Sequence, residues 1–288
     1  MTTEQVQKWP RPLSYRMAAP VPYRVQCFQP SHPLVKETET IEDRLARLSV
    51  VDDGKRDKKK VDRIFLPNVG VMSARRNHFT EFDSKRVLSN GVELYGSYKP
   101  ADVVAIRKRQ GVFFQAGGCL LVVATAEEYC VAGHVGRESL IRPPGAEREY
   151  ESVVNAIAES FDRKGIAREN IVLRAYFGIQ PRVFPHDPTY PGREALYENL
   201  LAKAGSIQSR VRKKERVKKW NQNDFILEVI GGIPHLNLYL LLKAQALLED
   251  IERIAFEKPL PINGDFAYTR HTNPELARAR NSVFVYRE

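Results

Sequence analysis

This sequence predicts a layered α+β fold, a sandwich around a mixed β-sheet with helices on the faces. Three observations carry that prediction. Short apolar runs rich in β-branched and aromatic residues crowd residues 61–133. Beyond them, apolar residues recur at three- and four-residue spacing in longer stretches, the mark of amphipathic helices. The strand-like and helix-like stretches mix without a strict β-α-β rhythm, which argues against a doubly wound parallel sheet.

Residues 1–60 stand apart. Pro10, Pro12, Pro20, Pro22, Pro30 and Pro33 punctuate a stretch without sustained periodicity, read as an extended N-terminal arm draped over the body. Within it, 40–48 reads as a short helix and 52–60 as a charged loop. The domain itself is expected from 61 to 288. Strands are expected at 63–66, 92–95, 103–106, 112–115, 119–124 and 129–133. The stretch 149–164 reads as a helix because Val153, Ile157 and Phe161 share one face, and Gly165 stands where a C-cap belongs. A strand follows at 171–177, then a helix at 193–204 with Leu196, Leu200 and Leu201 on one side. The stretch 225–230 reads as a strand ended by Gly231-Gly232. The longest helix is expected at 235–254, capped by His235, with Leu236, Leu240, Ala244, Leu247 and Ile251 along a stripe. Residues 282–286 close the chain as a strand.

Composition narrows the function classes. No apolar run approaches the roughly 20 residues that cross a bilayer. The N-terminus lacks the apolar core of a signal peptide, so the expected location is cytoplasmic, with no membrane partner. Three cysteines (Cys27, Cys119 and Cys130) are too few for a disulfide framework. The net charge of +10 raises nucleic acid as a partner. The basic runs at 55–60 and 209–220 lack interleaved aromatics, and each reads more simply as a solvated face.

The chemistry concentrates in one segment. Cys119 follows Gly117-Gly118, and His134 comes fifteen positions after it. Between them lie two apolar runs joined by a short acidic turn, the pattern of a β-hairpin. A hairpin folds its ends together, so the thiol and the imidazole can meet at one end of a sheet. Such a pair can bind a metal or act as nucleophile and base. Cys130, inside an apolar strand, reads as a core residue.

With the motifs around them, these residues resemble the laccase-domain family, also described as multicopper polyphenol oxidases or purine nucleoside phosphorylases. The family's A-D-C-x-P is matched by G-G-C-L-L at 117–121, and its H-A-G-W-R-G by H-V-G-R-E-S at 134–139. Its G-P-x-I-x-P is matched by G-I-Q-P at 178–181, and its F-x-Y-R-R by F-A-Y-T-R-H from 266. The departures are Gly118 for the aspartate, Arg137 one place early, Arg182 where the family has cysteine, and Thr269 for an arginine.

The resemblance implies a zinc site of His78, Cys119 and His134, with a fourth position open for water or phosphate. It implies a purine nucleoside and phosphate as substrates, processed by phosphorolysis or deamination. Catalysis would fall to Cys119, His134 and Arg137, and substrate binding to Gly118, Arg270 and His186. A second resemblance covers the cysteine segment alone. Bacterial toxins that deamidate glutamine carry a similar glycine-cysteine pair and distal histidine. That chemistry needs no cofactor: Cys119 attacks the amide carbonyl and His134 moves the protons. A third reading is a relative that has lost catalysis and serves as a binding protein.

Overall fold

The computed structural model describes residues 13–17, 22–28, 61–68, 76–77, 84–88, 91–116, 119–145, 150–176, 189, 192–214, 220–257 and 281–287. Fifteen strands form within them. In chain order they are β1 (Leu13–Met17), β2 (Tyr23–Phe28), β3 (Arg63–Asn68), β4 (Arg76–Asn77), β5 (Ser84–Val87), β6 (Glu93–Pro100), β7 (Val103–Ala105), β8 (Gln110–Ala116), β9 (Leu120–Ala126), β10 (Tyr129–Val135), β11 (Val172–Tyr176), β12 (Leu227–Ile230), β13 (Ile233–Leu236), β14 (Arg253–Phe256) and β15 (Asn281–Tyr286). The helices are α1 (Arg137–Leu140), α2 (Val153–Asp162), α3 (Glu194–Lys213) and α4 (Leu238–Leu248).

The α+β class is as the sequence predicts, but there are two large sheets where one was expected. One runs β1-β2-β15-β8-β3-β6-β5 and the other β14-β11-β9-β10-β7-β4; β12 and β13 pair separately. Both large sheets are mixed: β3 lies parallel to β6 and β8, and β11 parallel to β14, while most other pairs are antiparallel. The sheets stack through a shared apolar layer. Tyr23, Phe65, Val112, Phe114, Val283 and Val285 from the first meet Val104, Leu121, Val123, Cys130 and Ala132 from the second. The other face of the second sheet packs on helices α2, α3 and α4. There Leu120, Val122, Ala124, Val131 and Val135 meet Val153, Ile157, Phe161, Leu200 and Leu241. Strand β9 is buried on both faces throughout, and its two sets of side chains enter these two layers alternately.

Part of the expected arm belongs to the first sheet. Strand β2 pairs with β1 on one side and with the C-terminal strand β15 on the other, and Tyr23 and Val25 lie in the inter-sheet core. A proline-punctuated stretch hides this because its pairing partner lies at the far end of the chain. The expected helix at 40–48 and loop at 52–60 fall outside the described residues.

The expected helix at 235–254 is also shorter and begins later. Gly231 and Gly232 take φ of 59° and 81°, the left-handed backbone of a tight hairpin turn. The hairpin claims residues 233–236 as β13. His235 therefore sits in a strand, with Nδ1 2.8 Å from the Ile233 carbonyl, and Asn237 caps α4 by accepting from Leu240 N–H at 3.1 Å. Helix α4 ends at Leu248; Asp250 turns left-handed at φ 60°, and Ile251 N–H reaches back to the Ala246 carbonyl. The longest described helix is α3, which takes in the start of the basic run. Arg212 donates to the carbonyls of Gln222 and Asp224, and Lys214 to those of Leu247 and Leu248 at the end of α4. These cations hold helix ends and loops together. None of the helices is long and apolar enough to cross a membrane among the described residues.

Gly111 shows how tightly the outer face of the first sheet is packed. A Cβ there would lie 2.5 Å from Phe284 Cζ and 2.6 Å from Cε2. The Phe284 ring is fully buried and stacks on Tyr286 at 5.0 Å, so it has nowhere to retreat. Gly111→Ala is expected to destabilise the fold by about 1–3 kcal/mol in urea denaturation. An unchanged midpoint would show that this face repacks freely.

Candidate functional site

Strand register alone brings three chemically active side chains together. In the β9–β10 hairpin, His134 pairs with Leu121 and Val135 with Leu120. Strand β10 also pairs with β7, Gly133 opposite Val103, and the ladder continues as His134 N–H donates to the Asp102 carbonyl at 2.7 Å. Side chains alternate along a strand. His134 thus shares the inter-sheet face with Cys130 and Ala132, Asp102 shares it with Val104 and Ile106, and Cys119 shares it with Leu121 and Val123. The hairpin turn is the two-residue Glu127-Glu128, with Glu127 at φ 50°, which fixes this register. His134 lies within β10, not just past its end as the sequence pattern indicates.

The three groups form a chain of contacts. Asp102 is fully buried, and its Oδ1 lies 2.9 Å from His134 Nδ1. The Cys119 sulfur lies close enough to act electrostatically on the His134 ring. The His134 side chain is 12% exposed and Cys119 is half-buried, whereas Asp102 is fully enclosed, so the contact chain reaches the surface at the imidazole and the thiol. Burial works against protonating His134 and is the largest single influence. The Cys119 sulfur and the Asp102 carboxylate together outweigh it and raise the imidazole from its usual 6.5 to about 10. The Ser139 hydroxyl accepts from Gly136 N–H at 2.6 Å and lies 3.4 Å from the His134 carbonyl, which secures the turn after β10.

Asp102 is the residue that sequence reading missed. Its only local signal is an acidic side chain directly before the apolar strand β7, in A-D-V-V-A. Its meaning emerges only once β7 is known to pair with β10. Arg137 follows in α1, at 13% side-chain exposure. Its guanidinium donates to Tyr197 at 3.2 Å and Glu138 at 3.3 Å and stacks over the Tyr197 ring. Desolvation opposes its charge, but Glu138 and Tyr197 outweigh it and hold it cationic. Gly118, His78, His186 and Arg270 lie outside the described residues. Cys130 is fully buried in the inter-sheet core, and burial pushes its thiol up to about 12, as suits a core residue.

The fold has recognisable counterparts. The structure aligns with hypothetical protein YfiH of Bacillus licheniformis at TM-score 0.51 and 11% identity, over 79% of this chain and 74% of that one. YlmD of Geobacillus stearothermophilus aligns at TM-score 0.50 and 11% identity over the same shares. A Neisseria meningitidis protein described by the family model DUF152 aligns at TM-score 0.59 and 10% identity, over 97% of this chain and all of that one. The chain shares the fold of these three proteins, as the laccase-domain resemblance implies. No sequence-family model and no curated protein sequence matches the chain.

Removing the carboxylate tests the contact chain. Because the folded-state value of His134 lies above its unfolded one, its stabilisation is full below about pH 6.5 and lost as pH rises through about 10. Asp102→Asn is therefore expected to cost about 3 kcal/mol at pH 6, with the deficit shrinking towards pH 10, in urea denaturation with EDTA present. A deficit that grows with pH would contradict this assignment.

Proposed function

We propose that the chain is a purine-nucleoside-processing enzyme, acting by phosphorolysis or deamination, with Cys119 and His134 as its reacting centre. The contact chain from the Asp102 carboxylate through the His134 ring to the Cys119 sulfur carries the reading. The laccase-domain fold supports it.

The donors fit zinc as far as the described residues go. A thiolate and an imidazole are good zinc ligands. A histidine that ligates a metal commonly binds a carboxylate through its other ring nitrogen, and Asp102 takes that place on Nδ1. Cys119 and His134 would hold the ion with His78 as third ligand. Among the described residues alone no group of three such donors forms, and His78 lies outside them. Bound there, zinc would supply Lewis acidity towards phosphate or water. The chain's own residues do the rest. Asp102 fixes the imidazole ring and keeps Nδ1 as the donor, which turns Nε2 towards the reacting side. Arg137 supplies positive charge for an anionic substrate group, because Glu138 and Tyr197 hold it rigid. His186 and Arg270 remain proposed substrate contacts.

The closeness of the Cys119 sulfur to the His134 ring favours a second reading. Nucleophile, base and orienting carboxylate are the three roles of a cysteine hydrolase. In a metal-free deamidase, the Cys119 thiolate, paired with the protonated His134 ring, attacks the amide carbonyl. His134 gives its proton to the departing ammonia, and water, deprotonated by the ring, then hydrolyses the thioester and restores the thiolate.

Elemental analysis with a nucleoside assay separates the two. The leading reading predicts about one zinc per chain, lost in Cys119→Ser, and release of base or ammonia from a purine nucleoside. The second predicts no zinc and rapid alkylation of Cys119 by iodoacetamide at neutral pH, slowed about tenfold or more in His134→Ala. A protein with neither metal nor a reactive thiol would sink both.

A further inference from the structure

The exposed apolar surface of the described residues gathers in one place. Six large apolar side chains among them stand out in solvent, and four lie between residues 225 and 233. Val229 is 72% exposed, Phe225 46%, Ile230 45% and Ile233 36%. Val229, Ile230 and Ile233 form the tip of the β12–β13 hairpin, where Val229 pairs with Pro234 and Ile230 with Ile233. Residues 229–234 read V-I-G-G-I-P, with no polar side chain. The turn stands clear of the body: a side chain at Gly231 or Gly232 would meet no described atom within 4 Å. The base is held firmly. Leu236 is fully buried in the helix-side core, and Leu227 packs against it. Ile226 N–H donates to Gln208 Oε1 at 2.6 Å, and Asn237 N–H to the Ile226 carbonyl at 2.8 Å. A hairpin fixed at its base keeps its aliphatic end in water at a cost, and contiguous exposed apolar surface marks a contact site.

The surroundings narrow the choice of partner. Cations border the base of the hairpin. The Arg212 guanidinium lies 4.7 Å from the centre of the Phe225 ring, and Arg210 and Lys213, in the same last turn of α3, are exposed. A second copy of the chain fits poorly. A two-fold contact would bring the two sets of like charges towards each other. Three aliphatic side chains also cover far less than a stable interface needs, about 800 Å² per partner. A nucleic acid fits poorly too, because bases stack on aromatic rings and the tip is wholly aliphatic. An anionic bilayer surface meets both features, with hydrocarbon for the tip and negative headgroups for the cations. We propose that the β12–β13 hairpin is a peripheral docking finger for a membrane surface rich in anionic lipid. The two outermost residue pairs span roughly 7 Å of strand, the depth at which apolar groups seat at the headgroup–acyl boundary. Such docking needs no spanning helix. It replaces the expectation of no membrane partner, which rested on the lack of a spanning segment, and it is independent of the reacting centre.

Co-sedimentation of the full-length protein with sucrose-loaded vesicles tests the finger. The vesicles are phosphatidylcholine alone, or with about 30 mol% phosphatidylserine, at about 0.15 M salt. Wild type is expected to bind the anionic vesicles at least about tenfold more tightly than the neutral ones. Val229→Ser/Ile230→Ser/Ile233→Ser should lower that affinity about tenfold or more, and Arg210→Ser/Lys213→Ser about tenfold. Each variant's thermal midpoint should stay within about 4 °C of wild type, since all five side chains are exposed. Equal binding to the two vesicles, no binding to either, or binding that survives the triple tip variant overturns the proposal. A wild-type dimer in analytical ultracentrifugation that the tip variant dissociates would assign the tip to a second copy and overturn it too. RNA binding weakened as much by the tip variant would do the same. If the triple variant does not fold, Ile230→Ser/Ile233→Ser decides, with an expected loss of about fivefold.

Discussion

The site depends on the register of three neighbouring strands, β9, β10 and β7. A one-residue slip of any of them would turn its active side chain from the inter-sheet face to the helix face. With the register as it stands, the imidazole within β10 meets a carboxylate and a thiol that stand one residue before β7 and β9. That placement is costly to disturb, because β9 is buried on both faces and Asp102 is fully enclosed. Charged groups survive such burial only when paired, and Asp102 and His134 pair with each other.

The layered architecture explains why the pair is both protected and reachable. The inter-sheet core beneath it is largely apolar, and a hydrogen bond between the Tyr23 and Tyr176 hydroxyls ties the two sheets together. Tyr176 pairs with Leu121, which pairs with His134, so the tyrosine stands in the same cross-strand row as the site. Behind the second sheet, α2 packs against β10 through Val153 and Ile157, close to Gly133. The His134 strand is thus braced from both sides. The segment after it, held by Ser139 and by Arg137 on Tyr197, is the first part of the chain free to shape what enters.

Much of this was legible in the sequence, for a physical reason. Apolar alternation and the short acidic turn mark the β9–β10 hairpin, and hairpin geometry is local, so Cys119 and His134 could be paired in advance. Gly165, at φ 69°, likewise marks the end of α2 locally, whereas its start at Val153, capped by Ser152, comes later than the expected 149. What escaped was non-local. Asp102 gains its role from a pairing across about thirty residues, and β2 from a partner more than 250 residues away. His235 was misplaced because an apolar stripe continues through a hairpin whose glycines outrank helical periodicity. The second large sheet was missed because the stacking of sheets leaves no periodic trace of its own.

The central claim is that Asp102 holds the imidazole by Nδ1 and leaves Nε2 to Cys119. Nitrogen-15 NMR of the His134 ring reads this directly. The account predicts a protonated Nδ1 throughout the range from pH 6 to 9, with the Nε2 signal shifting when Cys119 is changed to serine. An unprotonated Nδ1, or an Nε2 indifferent to that substitution, would contradict it.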